Sequence, residues 1–250
     1  AIGSYSGAIL GKMMNGLPGL FAGMAVGVVL SVIVAFLVGL PTLRLKGDYL
    51  AIATLGVAEI IRVAVTNMKI TNGAAGISGV PLTNTWTITY IALVVTTILI
   101  LNYTFSSAGR ATYAVLQDEI AAESMGVQVT KYKILAFVLG AATASIGGTL
   151  SATTLGAVTP SDFTFMKSID VLIIVVFGGI GSFTGSFVAA VLLGIINLVL
   201  QPFGQLRMII YAVALILIMI FRPGGLLGTW EFKLGDFKFS KKKETKESGK

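Results

Sequence analysis

Apolar positions along this 250-residue chain fall into long unbroken runs, not into the alternation of half-buried strands or the spaced stripe of a surface helix. Four stretches carry no charged residue: 13–43, 70–109, 134–161 and 171–206, with 31, 40, 28 and 36 residues. Each exceeds the ~20 residues that an α-helix needs to cross a bilayer. Divided at charges, Gly/Pro clusters and polar turns, the runs predict segments at 17–41, 49–66, 86–106, 134–156, 169–177, 183–200 and 205–221. A piece at 2–11 and the one at 169–177 are too short to span; nine helical residues rise only ~13 Å. Half-length apolar pieces belong to re-entrant or broken helices packed inside protein. The pattern predicts an all-α integral membrane protein, a polytopic helical bundle with about six full spans plus broken or re-entrant half helices.

Composition removes the rivals. The chain is 55% hydrophobic and 12% charged, about half the charged share of soluble domains, which excludes a soluble globular domain and a disordered chain. Histidine and cysteine are both absent. A Ser-His-Asp triad, a cysteine nucleophile, a disulfide and the common zinc and iron–sulfur sites are therefore excluded. A GxxxxGK[ST] phosphate loop is missing as well, so the chain has no P-loop for ATP.

The net charge of +7 is not spread evenly. Residues 222–250 hold eight Lys/Arg against four acids, and residues 1–221 hold ten against seven. That distribution speaks for orientation, not for nucleic acid. With the C-terminus cytoplasmic, thirteen basic residues face inward, among them Arg44, Lys46, Arg110, Lys131 and Lys133. Four face outward: Lys12, Lys69, Lys167 and Arg207. Residues 1–228 are read as the transmembrane domain, and 229–250 as a basic cytoplasmic tail, disordered from about 239 and able to touch anionic lipid. Trp86 and Tyr90 at one end of a span, and Tyr103 and Phe105 at the other, suit interfacial belts.

Several groups of residues carry candidate roles. Small residues recur every fourth position, at Gly19, Gly23, Gly27, Ser31, Ala35 and Gly39, and back through Gly3, Gly7 and Gly11. Close backbone approach through small residues is what packs helices in lipid, so the stripe suits a subunit interface or packing within the chain. Four-residue spacing drifts about 40° per step on a 3.6-residue helix, so one partner can meet only two or three positions. Glu59 and Arg62 are charges well inside a span, Glu59 lying ~16 Å along the helix from Asp48. Intramembrane ionisable residues are default functional candidates; these two either neutralise one another at i,i+3 or face a polar pathway. Gly56 would permit a local break beside them.

Two loops stand out. In the outer TNGAAGISGVP, Thr71, Asn72, Gly73, Gly76 and Gly79 could turn backbone amides inward to cradle a carboxylate or receive a docking partner. As composition alone the segment is a flexible loop. The inner stretch 106–133 is long for a connection and predicts one helix from Arg110 to Met125, closed by Gly126 in the left-handed conformation. Asp118, Glu119 and Glu123 form an acidic patch on it. A short amphipathic helix of this kind suits docking into another protein's groove, whereas a helix lying on the membrane prefers Lys/Arg. Finally, Gly178, Gly179 and Gly181 with Ser182 break the apolar run at 169–200, which could present helix termini to a pathway.

Taken together, RLKGDYLAIATLGVAEIIR (Arg44 to Arg62), TNGAAGISGVP, DEIAAESMGV (Asp118 to Val127), SIDVLIIVVFGGIGSFTGS (Ser168 to Ser186) and FRPGGLLG (Phe221 to Gly228) resemble the LivM-type permease, the membrane subunit of ABC importers for branched-chain amino acids. The resemblance runs in order through most of residues 1–228. DEIAAESMG resembles the EAA loop through which such permeases contact their ATPase, matching at Glu119, Ala121, Ala122 and Gly126, with Ile120 interrupting the plain E-A-A spacing. It implies an ATPase-coupling role for Arg110, Asp118, Glu119, Ala121, Ala122, Glu123 and Gly126. It also implies that this chain is a transport subunit and not an enzyme, with no cofactor of its own. Its implied partners are a second, LivH-like permease, two cytoplasmic ATPase subunits that bind ATP and magnesium, and an extracytoplasmic solute-binding protein, in a bacterial cytoplasmic (inner) membrane. The opening AIGSYSGAIL resembles a stretch that follows an earlier span, so an N-terminally shortened chain is expected. Permeases for amides, urea or another amino acid look similar, and a stand-alone secondary transporter is the more distant alternative.

Overall fold

The computed structural model describes residues 1–200 except Asn15, Lys46 and Ile180, together with Val213. Its helices are α1 (Ile2–Met13), α2 (Leu17–Thr42), α3 (Asp48–Asn67), α4 (Trp86–Phe105), α5 (Ser107–Gln117), α6 (Glu119–Ser124), α7 (Val129–Leu155), α8 (Phe165–Gly178) and α9 (Phe183–Leu200). Five of them are long and apolar enough to cross a membrane: α2, α3, α4, α7 and α9. The segment expected at 205–221, the domain limit at 228 and the basic tail lie outside the described residues. The structure divides into two units, one from Ala1 to Phe165 and one from Met166 onward.

The core of the first unit is a trio. α2 and α7 run antiparallel, and the short α1 lies against both, antiparallel to α2 and parallel to α7. The small-residue stripe is what allows this. Gly19, Gly23, Gly27, Ser31, Ala35 and Gly39 are all buried. A Cβ on Gly23 would sit 2.8 Å from the Gly7 Cα, and one on Gly27 would sit 3.1 Å from the Gly3 Cα and 3.0 Å from the Ser145 hydroxyl. Gly39 instead faces Phe137 and Ile134 of α7. The stripe is thus used within the chain. Its rotational drift is absorbed by a change of partner, from α1 near the start of α2 to α7 near its end.

Hydroxyls reinforce the close packing. Thr149 Oγ1 donates to the Gly3 carbonyl at 3.0 Å, and Ser4 Oγ donates to the Gly148 carbonyl at 2.9 Å. In lipid each such bond between helices contributes about 0.6 kcal/mol. By contrast, α3 and α4 bury none of their residues. α3 runs unbroken through Gly56, whose permitted break is not used; nothing lies within 4 Å of an added Cβ there.

At one end of the trio, residues 68–84 and 156–163 form a small cap. Strand β1 (Ile77–Ser78) pairs antiparallel with β2 (Ala157–Val158), Ile77 opposite Val158. Ile77, Val80 and Val158 join Tyr5, Ala8 and Ala152 in a buried cluster. Lys12 Nζ donates to the Ser78 carbonyl at 2.8 Å, tying the end of α1 to the strand. The opposite end of α7 carries α5 and α6.

Two boundaries moved. α7 begins at Val129, not at 134, so that Lys131 and Lys133 lie in its first turns, Lys133 paired with Glu119 of α6. α8 covers 14 residues, starting a turn earlier than expected, with Lys167 and Asp170 paired at 3.6 Å along its first turn. In this second unit α8 and α9 pack side by side through Phe177, Ala189 and Leu193, joined by Ile173, Ile174, Leu192 and Ile196.

Candidate functional site

The inner segment departs from the single helix expected between Arg110 and Met125. It is broken at Asp118, whose extended backbone (φ −156°, ψ 112°) ends α5 and caps α6. The carboxylate accepts from the Ile120 and Ala121 amides at 2.8 and 3.1 Å. A free carboxylate at this position satisfies donors that the first turn of a helix leaves unpaired and suits the positive helix end. Asp118→Ala is expected to cost about 1 kcal/mol of α6 stability. Faster hydrogen exchange at the Ile120 and Ala121 amides would show it, and Asp118→Asn should largely preserve protection.

The split scatters the acidic patch. Asp118 is spent on the cap, Glu119 is paired with Lys133 of α7, and Glu123 is exposed. Arg110 turns back to donate to the Phe105 carbonyl at 3.1 Å, covering the end of α4. Of the two alanines, Ala122 is buried and Ala121 exposed. Gly126 adopts φ +82° as expected, and the Val127 amide reaches the Ala122 carbonyl at 3.0 Å, closing α6.

What the segment presents outward is apolar. Ile120 is 75% exposed and Met125 85%, with Tyr113 and Leu116 also exposed, while Val115 is buried. The base is fixed: Tyr103 and Thr112 share a 2.6 Å hydroxyl bond between α4 and α5, and the Ser106 side chain caps α5 at the Gly109 amide. A rigid element with exposed large apolar side chains is suited to a protein partner.

The outer loop is ordered, and its polar groups are turned on itself. Thr71 is buried and its hydroxyl lies 2.5 Å from the Val65 carbonyl and 2.8 Å from that of Met68. Asn72 holds φ +60°, a conformation asparagine tolerates, with Nδ2 donating to the Gly76 carbonyl at 2.9 Å. Gly76 presses on Val158 and Thr159 at φ +71°, where any side chain would collide. A Cβ added at Gly73 would lie 3.3 Å from the Thr66 carbonyl oxygen, whereas one at Gly79 would meet nothing within 4 Å. Sequence reasoning missed Asn84, which links this loop to α7: its Nδ2 donates to the Thr154 and Thr89 hydroxyls, each at 2.8 Å.

Glu59 and Arg62 do pair. Arg62 Nε lies 3.0 and 2.9 Å from the two carboxylate oxygens and Nη2 also reaches Oε1. They sit on a helix with no fully buried residue among those described, although its Val65 packs against the Tyr5 cluster. The glycine break is real: α8 stops at Gly178, Gly179 and Gly181 have φ +114° and +93°, and α9 starts at Phe183. A Cβ on Gly178 would lie 2.5 Å from the Gly185 and Ser186 backbone, so the two helices turn in backbone contact. The Gly185 amide donates to Ser182 Oγ at 3.0 Å.

Long apolar helices, a core closed through small residues, and structured polar elements at both ends of that core define a multi-pass helical membrane protein. The chain belongs to the family described as "Branched-chain amino acid transport system / permease component", which it matches over residues 1–221. It is 36% identical to the high-affinity branched-chain amino acid transport system permease protein LivM of Salmonella typhimurium, and 35% identical to that of Escherichia coli. Both alignments cover 91% of this chain and 61% of the relative, so the chain spans about three fifths of their length. The LivH permease protein of Escherichia coli is 30% identical over 57% of this chain and 46% of its own length. No solved structure matches the chain significantly.

Proposed function

We propose that the chain is a transmembrane permease subunit of an ATP-binding cassette importer and that, with a second permease, it forms the pathway for branched-chain amino acids across a bacterial cytoplasmic membrane. The observation that carries this reading is the pairing of family membership with a rigid, apolar-tipped segment, α5–α6, projecting from one end of the bundle. In it, α5–α6 contacts an ATPase subunit, with Asp118, Glu119, Ala122 and Gly126 setting its shape and Arg110, Ala121 and Glu123 completing its surface. Two ATPase subunits supply the ATP chemistry. A solute-binding protein delivers substrate at the opposite end, where Gly79 is the open position of the outer loop. The C-terminus lies on the ATPase side, as the basic tail requires.

Uptake of labelled leucine into vesicles containing both permeases, with and without the ATPase subunits, tests the reading. ATP-independent uptake at the same rate would replace it with a secondary transporter. Within that assay, the Glu59–Arg62 pair is assigned to the pathway. Its place on a helix with no fully buried residue among those described supports that assignment, since a charged pair facing lipid is costly. Replacing both, as Glu59→Gln with Arg62→Met, is expected to keep the protein folded and to lower uptake more than tenfold. Full uptake by the double variant would leave the pair a local structural one.

A further inference from the structure

A groove of about 650 Å³ opens where α2, α6 and the start of α7 meet. Its walls change character along its length. At the helix ends it is polar, lined by Glu123, Thr130 and Lys131; deeper along the bundle it is lined by Phe36, Leu135 and Val138. Phe36 lies six residues inside the end of α2, and Val138 nine residues inside the start of α7, depths of ~9 and ~14 Å. With Lys131 and Lys133 taken as the interfacial end of α7, the polar end falls at the membrane boundary and the apolar end reaches into the hydrocarbon.

Three features at the polar end call for a ligand carrying both charges. Lys131 forms no ion pair among the described residues, unlike its neighbour Lys133, which is held by Glu119. Glu123, on the facing element, also has no ion pair among the described residues. The N-terminus of the 27-residue α7 receives no side-chain cap, leaving its first amides and the positive end of its dipole for an anion.

We infer that this groove binds one phospholipid with a zwitterionic, primary-amine headgroup, that is, a phosphatidylethanolamine. Its phosphate sits at Lys131, Thr130 and the α7 N-terminus, its ammonium faces Glu123, and the start of an acyl chain lies along Phe36, Leu135 and Val138. A phosphatidylglycerol would offer Lys131 the same phosphate but would face Glu123 with neutral glycerol hydroxyls, without the charge-assisted bond an ammonium makes to a carboxylate. A quaternary ammonium would lack the N–H donors that a carboxylate accepts. The inference needs only the bundle and a bilayer, and it gives Glu123 a contact beyond its place on the α5–α6 surface.

Native mass spectrometry of the full chain, released from vesicles with equal phosphatidylethanolamine and phosphatidylglycerol of matched acyl chains, tests it. One phosphatidylethanolamine should be retained at least threefold over phosphatidylglycerol. Glu123→Gln should bring that ratio close to one, and Lys131→Gln should lower retention of both lipids. Both side chains are exposed, so neither substitution threatens the fold. Val138→Trp should fill the apolar end and reduce all retention at least fivefold, with helix content unchanged by circular dichroism. Equal retention of the two lipids by the unaltered chain, an unchanged ratio in Glu123→Gln, or displacement of the lipid by free leucine would each overturn it.

Discussion

Gly23→Val should disrupt the α1–α2–α7 trio and sharply lower the yield of folded protein. The new Cβ would stand 2.8 Å from the Gly7 Cα, 3.3 Å from the Ser6 carbonyl oxygen and 3.4 Å from the Gly7 amide nitrogen. All three are backbone atoms, so no side chain can swing aside; α1 itself must move. That movement would also separate Gly3 and Gly7 from Ser145 and Thr149 and break the Thr149 to Gly3 hydrogen bond. Overpacking of this kind costs about 3 kcal/mol, the upper part of the usual range. Reversible unfolding in mixed micelles would measure it. Gly140→Ala in α7 is the matched control, because nothing lies within 4 Å of a Cβ there. Higher helix propensity should leave that variant equal to or up to about 1 kcal/mol more stable than the parent chain. Equal stability of Gly23→Val and the parent would refute the packing described for the trio.

The second large effect concerns energy coupling. Ile120→Asp combined with Leu116→Asp should reduce ATP-driven uptake more than tenfold and weaken co-purification of the ATPase subunits, while leaving the permease folded. Both side chains are largely exposed, so little internal packing is lost. Truncating or charging an apolar anchor buried in an interface typically costs 2 kcal/mol or more of binding, which is about thirtyfold. The anchor of the segment, the Glu119–Lys133 pair, and the Asp118 cap remain intact in this variant. Loss of uptake would therefore report contact with the partner and not collapse of α6. Unimpaired uptake with normal ATPase retention would move the coupling surface elsewhere.

The membrane-crossing elements could be read directly because a span is specified by a local property, an apolar run long enough for the hydrocarbon. α2, α3, α4 and α9 accordingly begin and end within a residue or so of expectation. The break at Gly178–Gly181 was equally open to reading, since helix weakness is a property of the residues themselves. The inner segment was not. Asp118 is compatible with a helix interior by composition, and only the competition between its cap geometry and helix continuation settles the matter. The outer loop reads as flexible from its glycines, yet those same glycines let it pack tightly: Gly76 allows the chain to lie on Val158, and Thr71 is buried beneath it.

By itself, then, the sequence determined that this is a helical membrane protein, where its long apolar helices among the described residues begin and end, and which family it resembles. Each follows from the identity of neighbouring residues and the thickness of a bilayer. Only the tertiary structure decided that the small-residue stripe closes α1 between α2 and α7. It likewise decided that Glu119 serves Lys133 and not a shared acidic patch, and that Phe36, Glu123 and Lys131 line one groove. Those outcomes depend on which backbones approach and on side chains far apart in the chain converging at one place. No local pattern encodes that convergence, because the free energy that selects it arises only when the helices are packed.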